Sequence, residues 1–499
     1  MFAAAEALMS KADRAQAIWC AGLEGLGRSC GRLFFPRRGP LGFVALAGLF
    51  TASATTSAQT LTQALADAYN TNPQLLAQRA LLRATDEQVP QALANWRPTV
   101  NFNGQMGGTR SGLVTTSNGL PTRSGLATYS TFYSNSLNLT ATQQIYSGGR
   151  TAAQTSQAIN LVQSARAQTL AVETSVFQAV AMAYLDVVRD QALLEVNRNN
   201  VGVLRKQLEA TQDRFRVGEV TRTDVAQAEA SLAQAVGQLV TAQGNLEISR
   251  EEYVRAVGHP PGTLMLPRDR PTLPATGEEA ASLAGNNNFS VISANFAELA
   301  ARDTVDFVRG QLQPQISLVG TVNRSFAPSV TLKGSLEQSA AIAAQMTIPL
   351  YEGGAIYSQT RQAQQTVGQR RSQVDDARRA AVQLATSSWS TLQAARASIS
   401  SFASAVRAAQ IALEGTQQEA LVGTRTVLDV LIQNQTLLTT QSQLVTAEHD
   451  AALAEFNVAA ATGRLIAPEL KLPVKLYDME RHYKEVKDKW IGFRGGLSE

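Results

Sequence analysis

The sequence predicts a mostly α-helical chain with a β-barrel part, built from one plan carried out twice: leading helices, a β-hairpin, then a very long helical hairpin. Three observations carry this. Motifs recur at fixed spacings, proline is absent from two long intervals of strong helix formers, and the segments ahead of those intervals alternate apolar and polar residues.

Tyr146-Ser147-Gly148-Gly149 returns as Tyr351-Glu352-Gly353-Gly354, Val217-Gly218 as Val422-Gly423, Thr221 and Asp224 as Thr426 and Asp429, and Val257-Gly258 as Thr462-Gly463. Every pair is 205 positions apart. Upstream, Asn72-Pro73 answers Asn288-Phe289 and Pro98 answers Pro314, each 216 apart. The first copy therefore carries eleven more residues between Pro98 and Tyr146, placed in a surface loop from Gly107 to Ser130 rich in Gly, Ser and Thr.

Residues 1–58 read as an N-terminal extension and signal peptide. Arg37-Arg38 precede the apolar run Leu41 to Phe50, and the small residues Thr51 to Ala58 place cleavage near Gln59. The stretch before Arg37 exceeds an ordinary leader's basic segment, which points to a start codon beyond Met1. Cys20 and Cys30 both fall in the removed part, so the mature chain has no disulfide, thiolate metal site or lipid-bearing cysteine. Gly27-Arg28-Ser29-Cys30-Gly31 matches a nucleophile elbow, but it lies in the same segment without a flanking strand and helix.

With 44% hydrophobic and 17% charged residues the chain is no disordered scaffold. Residues 1–58 hold six Lys/Arg and three acids, so the formal charge of +4 falls to +1 on processing, which excludes strong nucleic-acid attraction.

The mature chain divides into leading helices (59–98), a first β-hairpin with the longer loop (99–146), a first long helical hairpin (147–261), a linker with the second leading helices (262–313), a second β-hairpin (314–351), a second long helical hairpin (352–463) and a tail (464–499). No proline occurs from 122 to 259 or from 350 to 467. Residues 151–216 then make a helix about 99 Å long. It turns at Val217-Gly218-Glu219-Val220 into a second helix from Thr221 to Ala256. The repeat gives 355–421, a turn at Val422-Gly423-Thr424-Arg425, and 426–461. Gly218 and Gly423 suit left-handed helix ends, and Thr221/Asp224 and Thr426/Asp429 have capping-box spacing. Helices this long must bury their stripes against one another, and Ala179, Ala183, Ala380, Ala381 and Ala385 allow close approach.

Val100, Phe102 and Met106 alternate with polar neighbours, as do Leu137, Leu139 and Ala141; Ile316, Leu318 and Val322 do the same, and Ile342, Ala344, Met346 and Ile348 share one face. Each strand is expected to span about ten residues, enough to cross a bilayer when tilted. No later segment has eighteen uninterrupted apolar residues, so helical spans are excluded. Four strands cannot close in lipid, and closure must come from other copies: two give eight strands and a filled interior, three give twelve and a lumen, with six helical hairpins to continue it.

From Leu61-Thr62-Gln63-Ala64-Leu65 through both Tyr-x-Gly-Gly motifs to Gly463, the chain resembles the outer membrane efflux proteins, the TolC family. The second tip, Val422 to Leu431, is the most specific stretch, and Arg214 to Val225 follows it. The resemblance implies a homotrimer whose twelve strands, four per protomer, form an outer membrane β-barrel and whose helices form a periplasmic α-barrel. It implies a passive exit duct of a tripartite efflux pump or type I secretion system, without cofactor. Its tips, with Val217, Gly218, Leu421, Val422 and Gly423, would dock on a periplasmic adaptor that links it to a proton-driven or ATP-driven inner membrane exporter.

The same resemblance assigns a gate. Thr223 and Asp224 match residues that bond to a tip arginine in the closed state, Arg425 matches that arginine, and Asp429 matches a carboxylate lining the constriction, where three copies would favour cations and raise one another's protonation tendency. Two positions depart: Ala420 stands where a tyrosine often completes the network, and Ile432 where a second carboxylate ring is often found. The simpler reading is that Asp224 and Asp429 cap helices, that Arg425 is a solvated turn residue, and that the tip residues serve the turns.

Enzyme chemistry finds no support. His259, His449 and His482 are expected to stand alone in surface or packing roles, and no phosphate-cradling glycine loop occurs. The tail, with Lys471, Lys475, Lys484, Lys487, Lys489 and Trp490, is expected either to pack outside the helices or to move freely. The competing function is a secreted structural coiled coil or adhesin without a pore.

Overall fold

The computed structural model describes residues 59–113, 116–117, 120–121, 128–267, 269–326, 328 and 334–493, so the expected leader lies outside the described residues. Helices α1 (Leu61–Thr71), α2 (Pro73–Asp86) and α3 (Gln88–Leu93) lead into strand β1 (Thr99–Leu113), two short strands β2 (Thr116–Ser117) and β3 (Leu120–Pro121), and β4 (Thr128–Tyr146). Helices α4 (Arg150–Arg216) and α5 (Arg222–Val257) form the first long hairpin. The second copy follows as α6 (Gly277–Asn287), α7 (Phe289–Arg309), β5 (Gln315–Phe326), β6 (Leu336–Thr347), α8 (Ala355–Leu421), α9 (Val427–Ala461) and a short α10 (Arg481–Val486).

The four long strands form one antiparallel sheet in the order β1-β4-β5-β6. Thr99 faces Thr142 in the first hairpin and Gln315 faces Thr347 in the second, the same register under the two repeat offsets. Residues opposite each other in the ladder share a face. One face therefore collects Val100, Phe102, Leu139, Val322, Leu318, Ile342 and Met346, and the other Asn101, Asn103, Asn138, Thr140, Thr321 and Ser317. That is the alternation a membrane barrel wall needs.

The first hairpin departs from the expected ten-residue strands. Its members span 15 and 19 residues, so Gly107 to Leu113 and Thr128 to Ser130, expected in the loop, belong to the ladder. Tyrosine rings explain how so glycine-rich a segment stays extended: Gly108 faces Tyr133 and Gly112 faces Tyr129, and a Cβ at Gly112 would sit 2.8 Å from the Tyr129 ring. The rings cover the side-chain-free backbone from the opposite strand.

Both long helices have the same length of 67 residues, about 100 Å. Each starts where Tyr-x-Gly-Gly supplies two consecutive left-handed glycines, Gly148 and Gly149 or Gly353 and Gly354. α5 packs on α4, α9 packs on α8, and α4 meets α9, while α7 lies against both α4 and α8. The largest core, where α1, mid α4 and the ends of α5 and α9 meet, holds Tyr69, Phe177, Tyr184, Tyr253 and Phe456. Cutting Phe177 back to Ala there costs about 3–5 kcal/mol. The Tyr184 hydroxyl donates to the Met265 carbonyl at 2.8 Å and ties down the linker. One window of α4 is apolar enough to suggest a membrane helix, with mean hydropathy 1.3, yet 56% of it is buried in the protomer. Ala183, Ala381 and Ala385 are buried as close approach requires, whereas Ala179 and Ala380 are exposed.

The histidines are not isolated. His259 Nε2 lies 3.2 Å from Asp67, His482 Nδ1 3.1 Å from Asp86, and His449 is buried between Asp186 (2.9 Å) and Asp450 (3.0 Å). Asp67, Asp86 and Asp186 are too distant in sequence to leave a local pattern, whereas Asp450 directly follows His449. No cluster of metal ligands occurs among the described residues. The tail packs rather than trailing free as far as Val486: Leu465 and Ala467 enter the main core, the Tyr477 N–H donates to the Tyr69 hydroxyl at 2.9 Å, and Val486 is buried.

Candidate functional site

Both hairpin tips close by the same backbone device. At the first, Glu219 N–H donates to the Arg214 carbonyl (2.9 Å) and Gly218 N–H to the Phe215 carbonyl (3.0 Å). At the second, Thr424 N–H donates to the Glu419 carbonyl (3.0 Å) and Gly423 N–H to the Ala420 carbonyl (3.3 Å). These paired bonds require a left-handed residue, and Gly218 (φ +84) and Gly423 (φ +83) provide it.

The returning helices then begin with full capping boxes. Asp224 N–H donates to Thr221 Oγ1 (3.3 Å), while the Thr221 N–H and hydroxyl donate to Asp224 Oδ2 at 2.8 and 2.7 Å. Thr426 and Asp429 repeat this at 3.2, 2.9 and 2.8 Å. The Thr426 backbone and hydroxyl bonds, helped by Arg425, hold the Asp429 carboxyl below the usual carboxylate range. Within one chain that opposes the rise expected from three crowded carboxylates.

Arg425 does not stand alone as a solvated turn residue. Its Nε donates to Glu419 Oε2 at 2.8 Å, and this bond makes the guanidinium hold its proton more tightly than usual. The first tip has the mirror arrangement, with Arg214 Nε 3.0 Å from Glu219. Among the described residues no hydrogen bond or ion pair joins Arg425 to Thr223 or Asp224 within the chain. Thr223 is exposed on the first turn of α5 and Asp224 is half-buried. Glu419 escaped the sequence reading, although the 205-residue offset, which sets Glu419 opposite Arg214, carried the signal.

Apolar side chains crown both tips. Val217, Leu421 and Val422 are each more than 70% exposed, and Phe215, Leu428 and Ile432 are exposed beside them. Behind this crown Ala420 packs with Leu413 and Val430, and Val427 and Leu431 pack against Val201, Leu204 and Ala235 of the first hairpin. Ala420 is thus a core residue between α8 and α9, while Ile432 points outward. Higher in the bundle Asn434 donates to Asn200 at 2.6 Å across a buried contact between the hairpins.

The sequence matches the outer membrane efflux protein family over residues 53–259 and 280–464. It is 33% identical to the outer membrane efflux protein BepC of Brucella suis biovar 1 over 90% of this chain and 95% of that one. It is 27% identical to the outer membrane protein TolC of Vibrio cholerae over 84% and 94%. The fold is similar to the Campylobacter jejuni CmeC outer membrane channel, with a TM-score of 0.70 and 16% identity over 92% of this chain and 98% of that one. It is also similar to the Vibrio cholerae outer membrane protein VceC, at 0.68 and 22% over 81% and 96%. A two-faced four-stranded sheet and two capped hairpins, each led by a 67-residue helix, together with a match over both repeats, place this chain in the outer membrane efflux protein family.

Proposed function

We propose that three copies of this chain assemble into a passive exit duct, with a twelve-stranded barrel in the outer membrane continued by a periplasmic helical tunnel. The observation that carries this is an asymmetry between the repeats. Contacts that the first repeat makes to the second inside the chain have no counterpart from the second repeat onward. β4 is paired on both sides, but β1 and β6 each leave an edge open, which lipid does not tolerate. Gly148 lies against Gly310 and Gln313, where a Cβ would sit 2.4 Å from a carbonyl oxygen; its counterpart Gly353 has nothing within 4 Å. The missing neighbours are those of the next copy.

The β4 to β5 register carries over under the same offsets. Leu139 faces Val322 within the chain, which sets Ala344 of one copy opposite Met106 of the next. Two copies would leave eight strands and a filled interior, whereas three leave a lumen of the kind an efflux duct needs. A secreted coiled coil or adhesin gives no reason for a continuous apolar face across four strands.

The tips take two roles in this reading. Val217, Gly218, Leu421, Val422 and Gly423 present an apolar crown to a periplasmic adaptor, which couples the duct to an inner membrane exporter driven by protons or ATP. Arg425 exchanges Glu419 for Thr223 and Asp224 of the closed trimer, and Asp429 and Ile432 line the constriction. Ion-pair exchange of this kind gives two discrete arrangements that docking can bias. Planar-bilayer recordings of the purified protein test the duct: stepwise conductance supports it, and none under any condition, tip variants included, overturns it.

A further inference from the structure

We infer that the segment following α10, centred on Trp490, is a membrane-surface anchor that sets aromatic and aliphatic side chains into the headgroup layer of the periplasmic leaflet. The inference rests on the reading that the sheet crosses the outer membrane.

The body holds this segment firmly. His482 pairs with buried Asp86 at 3.1 Å, the Arg166 guanidinium lies 5.3 Å from the Tyr483 ring centre, and Val486 is buried. Arg97 then fixes its end, donating from Nη1 to the Lys489 carbonyl at 2.7 Å and lying 4.7 Å from the Trp490 ring centre.

Arg97 also sets the height. It stands two residues before Thr99, where β1 begins, hence about 7 Å below the foot of the sheet at about 3.3 Å per residue. The polar layer on each side of the hydrocarbon core is about 5–7 Å thick, so Trp490 lies at headgroup level. One residue earlier, the Trp96 carbonyl accepts from Gln143 Nε2 at 2.9 Å, and Gln143 shares the apolar face with Leu318 opposite.

Trp490, Ile491 and Phe493 are 66%, 91% and 109% exposed. Trp96, Tyr146 and Tyr351 are exposed at the feet of neighbouring strands, so the segment extends a belt of interfacial aromatics. Its charges are met locally, Lys484 by Glu480 (2.6 Å), Arg481 by Glu485 (3.1 Å) and Lys487 by Asp488 (3.9 Å). The occupant is therefore the phospholipid interface itself, entered through apolar contact rather than attraction to anionic lipid.

The test uses the full mature chain, which lacks cysteine after position 58. Ile491→Cys carries an environment-sensitive fluorophore, and Ile342→Cys on the apolar face of β6 serves as control. Both are reconstituted into zwitterionic vesicles whose phospholipids are brominated near the headgroup or deep in the acyl chain. The expected result is at least twofold quenching at Ile491 by shallow bromines and less by deep ones. Quenching at Ile342 without quenching at Ile491, even with blue-shifted emission, overturns the anchor alone and assigns a protein neighbour. No quenching at either site overturns the anchor together with the membrane sheet. Trp490→Phe, which leaves the chain thiol-free, should independently reduce quenching of intrinsic fluorescence by the same lipids, and an unchanged signal counts against the anchor.

Discussion

Arg425 Nε lies 2.8 Å from Glu419 Oε2, and Glu419 occupies the position that Arg214 holds one repeat earlier, so the two tips carry inverted ion pairs. In the proposed trimer, three copies would set six tips of alternating charge order around one axis. If Arg425 leaves Glu419 to close the tunnel, Arg425→Ala raises single-channel conductance several-fold. Glu419→Gln frees the arginine for the latch and leaves conductance at or below the parent level. Bilayer recordings of both variants check this, and unchanged conductance in Arg425→Ala and Asp224→Ala leaves only the capping role.

The glycines of the tips and of the strand-to-helix turns should differ sharply. At Gly423 a Cβ meets nothing within 4 Å, so Gly423→Ala incurs only left-handed strain, about 1–2 kcal/mol. Gly148→Ala adds a backbone clash with the Gly310 carbonyl and should impair folding far more. Thermal unfolding of the two variants in detergent reads the difference.

Thr426 keeps the Asp429 carboxyl, which lines the constriction in the proposed duct, below its ordinary range. Its contribution to the cap is thus present above the unfolded carboxylate pKa and lost as pH falls through the lowered value. Thr426→Val removes the hydroxyl bond, so block of the pore by multivalent cations should fade at a higher pH than in the parent. Ile432→Asp adds a carboxylate ring and should strengthen that block at neutral pH. Titrating the block in bilayers separates the two effects.

Burial alone would lower the His449 imidazole, but the Asp186 carboxylate 2.9 Å from Nε2 and Asp450 3.0 Å from Nδ1 carry it above its usual value. A raised histidine stabilises fully below its unfolded pKa of about 6.5, and that contribution disappears as pH rises through the folded value. The melting temperature of the parent should therefore fall as pH increases above about 6.5. In His449→Gln that slope should flatten.

Much of the architecture was legible because the chain spells it twice. Tyr-x-Gly-Gly, Val-Gly and the two Thr/Asp caps marked helix ends to within a residue, since left-handed glycine and side-chain capping are local physics. The first hairpin misled because Gly107 to Leu113 has loop composition, and what keeps it extended is Tyr133 and Tyr129 on another strand. The long-range histidine pairs were invisible for the same reason, His482 and Asp86 being 396 residues apart. At the site, the capping carboxylates were readable, but Glu419 was seen only once Arg425 had a position in space.

The central claim is that β6 of one copy seals against β1 of the next until three copies close. Paired Met106→Cys and Ala344→Cys substitutions test it in membranes under mild oxidation, in a chain that has no cysteine after Cys30. Covalent dimers and trimers and no larger species are expected, with each substitution alone giving neither. Absence of any cross-link, or a series that stops at two chains, would contradict it.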